Sequence, residues 1–518
     1  MDKDLPQGWC YARLSDLGEL ARGKSKHRPR NDPKLYGNVM PFIQTGEVAR
    51  SGGLIRSFSK MYSEFGVQQS RVFPKGTICI TIAANIADTG ILDFDACFPD
   101  SVVGLISNDA LADSHFVEFF LQTAREDIAQ FAPATAQANI NLEILNKVVV
   151  PLPPLNEQRR IVAKIEALKA RSQRVKEELE AITPLLDQFR QSVLAAAFRG
   201  DLTADWREKN PHFTGEWHNN LLTAVRYAVT QTKRQGRLWG SGTSLQEVHE
   251  SWAKLPDTWN WVKVIDLGYD PDVVVQIGPM SMKSEEFTET GTTVLNVGCV
   301  QWNGLNLEKC NYLPPARAAD FERYRVCKGD VLFTRSGAVG RSAIVTPEVD
   351  GALITFHLLR VRTSSEICIP EYLYFAFRGC SAVRSQIDDS AIGATRAGFN
   401  TKLLQNIWLP LPPSEEQAQI LQEIKKRFKF ADSIMGQISE GASFLDKLDR
   451  SILAKAFRGE LVPQDPNDEP ASVLLERIRA ERENLDTKKK AKGKTEKKSR
   501  KAKPEATEPE QLSLPGFE

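Results

Sequence analysis

Long apolar runs are missing from this sequence: no stretch of about 18 or more uncharged apolar residues appears, which excludes a membrane-spanning helix. Paired cysteines are missing too. Cys10, Cys79, Cys97, Cys299, Cys310, Cys327, Cys368 and Cys380 are scattered, make no Cys-x-x-Cys, and read as small core hydrophobes. The six histidines show no metal-ligand spacing, so no metal site is expected. No Asn/Asp-Pro-Pro-Tyr/Phe segment of the adenine-methyltransferase kind occurs, helicase motifs are absent, and no Pro-Asp…Glu-x-Lys nuclease site is found. The expected set of catalytic residues is therefore empty. No apolar run follows Met1-Asp-Lys-Asp-Leu-Pro-Gln-Gly-Trp9, so the start has no signal-peptide pattern and a cytoplasmic location is expected.

Net charge is also scarce, at +1, and it is unevenly spread. Thr487 to Lys503 holds ten Lys/Arg against one acid and Pro504 to Glu518 adds four acids, leaving +5 on the tail and about −4 on residues 1–486. Any positive surface for a polyanion must be local.

What the sequence has is a duplication. Leu5-Pro-Gln-Gly-Trp9 recurs as Leu255-Pro-Asp-Thr-Trp259, and Phe42-Ile-Gln-Thr-Gly46 more weakly as Leu295-Asn-Val-Gly298. Lys75-Gly76 returns as Lys328-Gly329, each leading an apolar run to Thr81 or Thr334. Val150-Pro-Leu-Pro-Pro154 with Glu157-Gln158 matches Leu409-Pro-Leu-Pro-Pro413 with Glu416-Gln417, and Ala197-Phe-Arg-Gly-Asp-Leu202 matches Ala456-Phe-Arg-Gly-Glu-Leu461. The offset drifts from 250 at the tryptophans to 259 at the Pro-Leu-Pro-Pro motifs, then stays at 259. The globular parts vary in length; the connecting elements do not.

Each connecting element reads as a long helix. Ile161, Ile165, Leu168, Ser172, Val175, Leu179, Ile182, Leu186, Phe189 and Val193 alternate spacings of four and three, a heptad seam. Shifted by 259, the seam becomes Ile420, Ile424, Arg427, Ala431, Ile434, Ile438, Gly441, Leu445, Leu448 and Ile452. At 1.5 Å per residue, Asn156 to Phe198 makes a rod of roughly 65 Å. Ser414-Glu-Glu-Gln417 fits a capping box, with Leu155 replacing that serine in the first copy. Pro184 and Gly441 fall near the same level, where a kink is expected. Equal lengths and matched seams favour one antiparallel coiled coil over two independent amphipathic helices.

The expected architecture is α+β: globular domains at 5–150 and 255–409, long helices at 151–202 and 410–461, and a linker at 203–254 with a short helix through Leu221–Val229. A C-terminal amphipathic helix at 462–485 and a disordered basic tail at 486–518 follow. The linker helix and the C-terminal helix are candidate partner-docking pieces.

Two unlike globular regions, each followed by Pro-Leu-Pro-Pro-x-x-Glu-Gln and a long helix ending in Ala-Phe-Arg-Gly-(Asp/Glu)-Leu, resemble the specificity subunits of type I restriction–modification systems, over residues 5 to about 485. The resemblance implies a pseudo-twofold pair of target-recognition domains, each reading half of a split, asymmetric double-stranded DNA site, with the paired helices setting the gap. It implies two methyltransferase subunits and two restriction (motor-nuclease) subunits as partners. Those partners would use S-adenosylmethionine, ATP and magnesium; this chain would need no cofactor of its own. The rivals are a pure coiled-coil scaffold and a fused-type methyltransferase or nuclease, the latter opposed by the missing motifs.

Base edges are read by Arg, Lys, Asn, Gln, Ser or Thr. Such residues cluster in the first domain at Gln44, Thr45, Thr81, Asn85, Thr135, Gln137 and Asn139. In the second domain they are Lys283, Asn296, Thr334, Arg335, Ser336, Arg341, Thr395 and Arg396. Ordinary surface polarity or turn chemistry is the rival for each. Gly18-Glu-Leu-Ala-Arg-Gly23-Lys24-Ser25 satisfies the P-loop pattern, but two prolines soon after Ser25 forbid the helix that must hold the phosphates. Lys24, Lys26, Arg28 and Arg30 read better as a phosphate-contacting loop. In the tail, Gln511-Leu-Ser-Leu-Pro-Gly-Phe517 resembles the peptide by which bacterial proteins dock on the sliding clamp. A frayed terminus is the favoured reading there, because Gly516 stands where a larger apolar residue would fit.

Overall fold

The computed structural model describes residues 5–83, 85–130, 140–211, 254–302, 304–335, 340–391 and 399–483. They fall into two units: one holds the residues up to Glu178 and from Glu440 onward, the other Leu179–Ser439.

In the first unit a five-stranded sheet runs in the order Gly18–Arg22, Val102–Ser107, Ile78–Thr81, Thr89–Leu92, Gly53–Ile55. A second sheet, Lys60–Tyr62, Tyr36–Phe42, Ala96–Cys97 and Val72–Phe73, shares with it a core of Ile43, Phe73, Cys79, Leu92 and Phe98. The second unit has an antiparallel sheet of Val275–Ile277, Leu358–Val361, Val331–Thr334 and Ser342–Ile344, and a smaller one of Asn311–Leu313, Thr292–Leu295 and Leu353–Ile354. Ile78–Thr81 and Val331–Thr334 are buried at all four positions. A strand covered on both faces runs apolar instead of alternating, which is the pattern both sequences show.

The repeated tryptophan and Pro-Leu-Pro-Pro motifs meet in each unit. Cys10–Arg13 pairs antiparallel with Val149–Leu152, and Asn260–Lys263 with Trp408–Leu411. Each domain is thus closed on itself immediately before its long helix begins.

The long helices are Leu155–Arg199 and Ser414–Ala456, and both run unbroken through Pro184 and Gly441. Each starts in the core of its own domain and ends in the core of the other unit. Ile161 and Ile165 join the first core and Ile420 and Ile424 the second; Ile452 and Ala456 return to the first, and Val193, Ala197 and Phe198 enter the second. The pairing is antiparallel: Lys176 bonds Asp446 and Asp449 (2.8 and 3.0 Å), whereas further along Arg190 bonds the earlier Asp432 (2.7 Å). Along the seam Ser172, Leu186, Ala431 and Leu445 are buried, and Leu168, Leu179, Ile182, Ile434 and Ile438 are half-buried. Val175, Phe189 and Leu448 differ from the expected seam in being exposed. Two helices cover only a narrow stripe of each other, so a position that drifts off that stripe faces outward.

Residues 471–483 are helical, as expected, but this helix is not a free docking piece. Ala471, Leu474, Leu475 and Ile478 lie in the core of the first unit, Arg479 pairs with Asp16, and Asp468 pairs with Arg160 (2.7 Å). Its apolar face is spent on the domain. The Leu221–Val229 segment and the basic tail with its clamp-like peptide lie outside the described residues.

In the same core Glu118 is buried, accepting from the Thr89 hydroxyl (3.1 Å) and the Gln122 amide (2.6 Å). Burial pushes its carboxyl above the ordinary glutamate range, against those two hydrogen bonds. A carboxyl raised in the folded state contributes stability that is complete below its unfolded value and is lost as pH rises through the folded one. Glu118→Gln keeps an acceptor for both donors. It is expected to raise the urea midpoint at pH 8 and leave it nearly unchanged at pH 4; an equal shift at both would remove this account.

Candidate nucleic-acid interface

One loop is built the same way in both domains. Ile78–Thr81 turns into Thr89–Leu92, and Val331–Thr334 into Ser342–Ile344. The Thr81 N–H donates to Asp88 O and the Thr334 N–H to Arg341 O (2.9 Å each). In return Asp88 N–H donates to the Thr81 hydroxyl (3.0 Å) and Arg341 N–H to the Thr334 hydroxyl (3.1 Å). Ala87 and Gly340 hold matching places with φ of +63° and +79°, a left-handed conformation that suits glycine. Both threonines are 0% exposed. They brace the turn from below and are not on its reading face, a correction to the sequence reading. Asn85 is exposed in the first turn. In the second, Arg335 stacks over Phe356 (4.3 Å to the centroid) and Arg341 over Trp302 (5.9 Å).

The turn after the Gly46 and Gly298 strands also repeats. Gln44 caps the helix Thr45–Ala49, its backbone N–H donating to Glu47 (2.9 Å), so Thr45 is the first residue of that helix. Asn296 occupies the matching turn, but its side chain donates to Lys309 O and accepts from Gly298 N–H (2.7 Å each). With donor and acceptor both engaged in holding its own loop, Asn296 is poorly placed to read a base. Lys283 is exposed, its backbone N–H bonded to Glu286 (2.9 Å).

The basic loop after the P-loop-like segment contains no following helix; the next regular element is the short 3-10 turn Pro33–Leu35. Lys24, Lys26 and Arg28 are exposed, and among the described residues none has an acidic partner. Arg28 donates to the Ser25 and His27 carbonyls (2.6 and 2.9 Å), stiffening the loop. Arg30 is already neutralised by Asp100 (2.7 Å). Thr135, Gln137, Asn139, Ser336, Thr395 and Arg396 lie outside the described residues. Among the described residues, no group of three or more His, Cys, Asp or Glu could hold a metal ion, and no helix is long and apolar enough to cross a membrane.

The residues sequence reasoning missed are the motif's own Glu-Gln pair. Gln158 Nε2 donates to the carbonyls of Leu111 and Pro153 (3.0 Å each), and its Oε1 accepts from Asp113 N–H (2.8 Å). Gln417 Nε2 donates to Ile367 and Pro412 (2.9 Å each), and its Oε1 accepts from Ile369 N–H (2.8 Å). Gln417 is therefore no capping-box residue; its side chain points into the domain, where unpaired loop groups need it more than the helix end does. Glu157 accepts from the Trp9 indole (3.1 Å), and Glu416 from Thr203 (2.7 Å) and Arg207 (2.6 Å). In each copy the glutamine rivets the first turn of the long helix to the domain before it; Glu157 adds to this through Trp9, whereas Glu416 bonds residues that follow the first long helix.

The described geometry is a frame braced alike in both domains, with Asn85 exposed in one turn and Arg335 and Arg341 half-buried in the other. The family described as "Type I restriction modification DNA specificity domain" matches residues 6–183 and 278–441. The Type I restriction enzyme EcoKI specificity subunit of Escherichia coli is 24% identical over 501 residues, covering 92% of this chain and 96% of that one. The EcoEI specificity subunit of Escherichia coli is 58% identical over 265 residues, covering 49% of this chain and 42% of that one. The solved HsdS subunit from Thermoanaerobacter tengcongensis superposes with a TM-score of 0.52 at 18% identity, covering 89% of this chain and 99% of that one. With the paired family match spanning most of both repeats, the chain belongs to the type I restriction–modification DNA specificity family.

Proposed function

We propose that this chain reads a split, asymmetric DNA site, one half with each domain, and that it performs no catalysis itself. The observation that supports this best is the turn whose ends are braced in the same way by Thr81 and Asp88 and by Thr334 and Arg341, with Asn85 in one domain and Arg335 and Arg341 in the other. A common frame with different side chains suits two different base sequences. Methyl transfer from S-adenosylmethionine, and the use of ATP and magnesium, fall to partner subunits. Co-expressing the chain with its methyltransferase and sequencing methylated adenines should reveal one two-part site. Methyltransferase or ATPase activity of the purified chain alone would overturn the reading.

The stoichiometry follows from the long helices. Leu185 and Phe189 are exposed in the first, and Phe444 and Leu448, their equivalents at the 259-residue offset, are exposed in the second. Residues four apart share one helix face, so each pair makes a small apolar patch, presented twice. Two methyltransferase subunits dock on these patches. Leu185→Asp or Phe444→Asp is expected to leave a complex with one methyltransferase, and the double variant none, by native mass spectrometry. Loss of both copies from a single substitution would contradict independent, repeated docking.

A further inference from the structure

The strands Val300–Gln301 and Gly304–Leu305 form a two-stranded hairpin, pairing Val300 with Leu305 and Gln301 with Gly304. Trp302 follows directly, at the hairpin tip, and is 58% exposed, the most exposed tryptophan among the described residues. Gly304 has a φ of +127°, which lets so short a connection close. The hairpin packs on Ser342–Ile344, the strand leaving the second reading turn, so the indole stands beside that turn. Its carbonyl accepts from Arg378, which also bonds the Tyr374 hydroxyl and lies over that ring (5.0 Å). Arg341 lies over the indole itself, and its Nε is out of solvent with no hydrogen-bond partner among the described residues. The backbone is therefore anchored while the ring is left outward.

An aromatic ring presented at a tip, flanked by guanidinium groups, suits a ligand that is both polyanionic and aromatic. A protein partner would favour a broader apolar face than one ring among cations. The first domain differs: four residues past Gly46, where the second domain has Trp302 past Gly298, stands Arg50, also exposed. We infer that Trp302 is a wedge that inserts at a base step of the half-site read by the second domain, and that the half-site read by the first is not unstacked in this way. The inference rests on the DNA-reading function proposed above. Arg341, beside the ring, holds the adjoining phosphate or base edge.

The test uses the chain in complex with its methyltransferase, on duplexes carrying the mapped site with 2-aminopurine placed at one position at a time. Apart from the target adenine that the methyltransferase itself flips out in each half, one position in the half-site read by the second domain should brighten severalfold on binding, and none in the other half. Trp302→Phe should keep that signal. Trp302→Ala should abolish it and weaken binding to the site by about tenfold or more, with the melting temperature and methyltransferase content unchanged. A wild-type complex that methylates its site but brightens no position besides the flipped adenines overturns the wedge, as does Trp302→Ala binding within twofold of wild type. Loss of methyltransferase from Trp302→Ala would assign the ring to a protein contact and equally overturn it. A wild-type complex with no sequence-specific methylation would instead sink the underlying function.

Discussion

Replacing residues 5–150 with the equivalent domain of a related subunit is expected to change one half of the methylated sequence and leave the other half as it was. The structure adds a condition. The first unit's core is not made by residues 5–150 alone: Ile452 and Ala456 from the second long helix, and Leu474, Leu475 and Ile478 from the C-terminal helix, are buried in it. Phe457 packs edge-on against Phe116 and Phe120. A donor domain lacking apolar partners for these residues would leave several side chains unburied, each worth about 1.5–3 kcal/mol when fully covered. Such a graft should fail to fold. Carrying the donor's equivalents of 440–483 along with 5–150 should rescue it, with the same single half-site altered. Bisulfite-free sequencing of methylated adenines reads the outcome; change in both halves would mean that the domains read jointly.

The duplication and the long helices were legible because burial forces them. A residue inserted into an α-helix rotates everything beyond it by about 100°, and these helices enter a different core at each end. Ile161 and Ile452 sit in one core, Ile420 and Val193 in the other, so the 259-residue offset could not drift between them. The reading residues were harder. Thr81 and Thr334 end strands covered on both faces, where alternation gives no clue to which hydroxyl faces inward. Trp302 belongs to no motif of the duplication, and its place in the two-residue connection between Gln301 and Gly304 follows only from the pairing of those strands. Gln417 fits a capping box in the sequence. Leu155 standing where the second copy has Ser414 argued otherwise, since a role shared by both glutamines could not depend on a serine found in one.

Replacing one of those glutamines should have a large effect on both stability and site selection. Gln417 is 0% exposed, and its amide satisfies two carbonyls and one N–H, none of which belongs to the helix body. Gln417→Met keeps the volume and removes all three bonds. A buried group left unpaired costs about 1–3 kcal/mol, so three of them, with partial relaxation, should cost on the order of 3–5 kcal/mol. Gln158→Met faces the same arithmetic through Leu111, Pro153 and Asp113. A loss of this size loosens the joint between a recognition domain and its own helix before it unfolds the domain, because Ile420 and Ile424 remain buried one and two turns further on. The expected signature is therefore local. Amide exchange should accelerate at Ile369 and at Leu411, which has the one N–H in the Pro410–Pro413 segment, while the Val331–Thr334 strand stays protected. In the methylated DNA the half-site letters should persist and sites one base pair longer or shorter in the gap should gain at the expense of the native spacing. Gln417→Glu separates geometry from volume: ionised, it cannot donate to either carbonyl, and protonated it regains one donor, so its exchange defect should shrink as pH falls. An unchanged gap distribution in Gln417→Met, with exchange at Ile369 accelerated as expected, would show that the rivet stabilises the joint without setting the register on DNA.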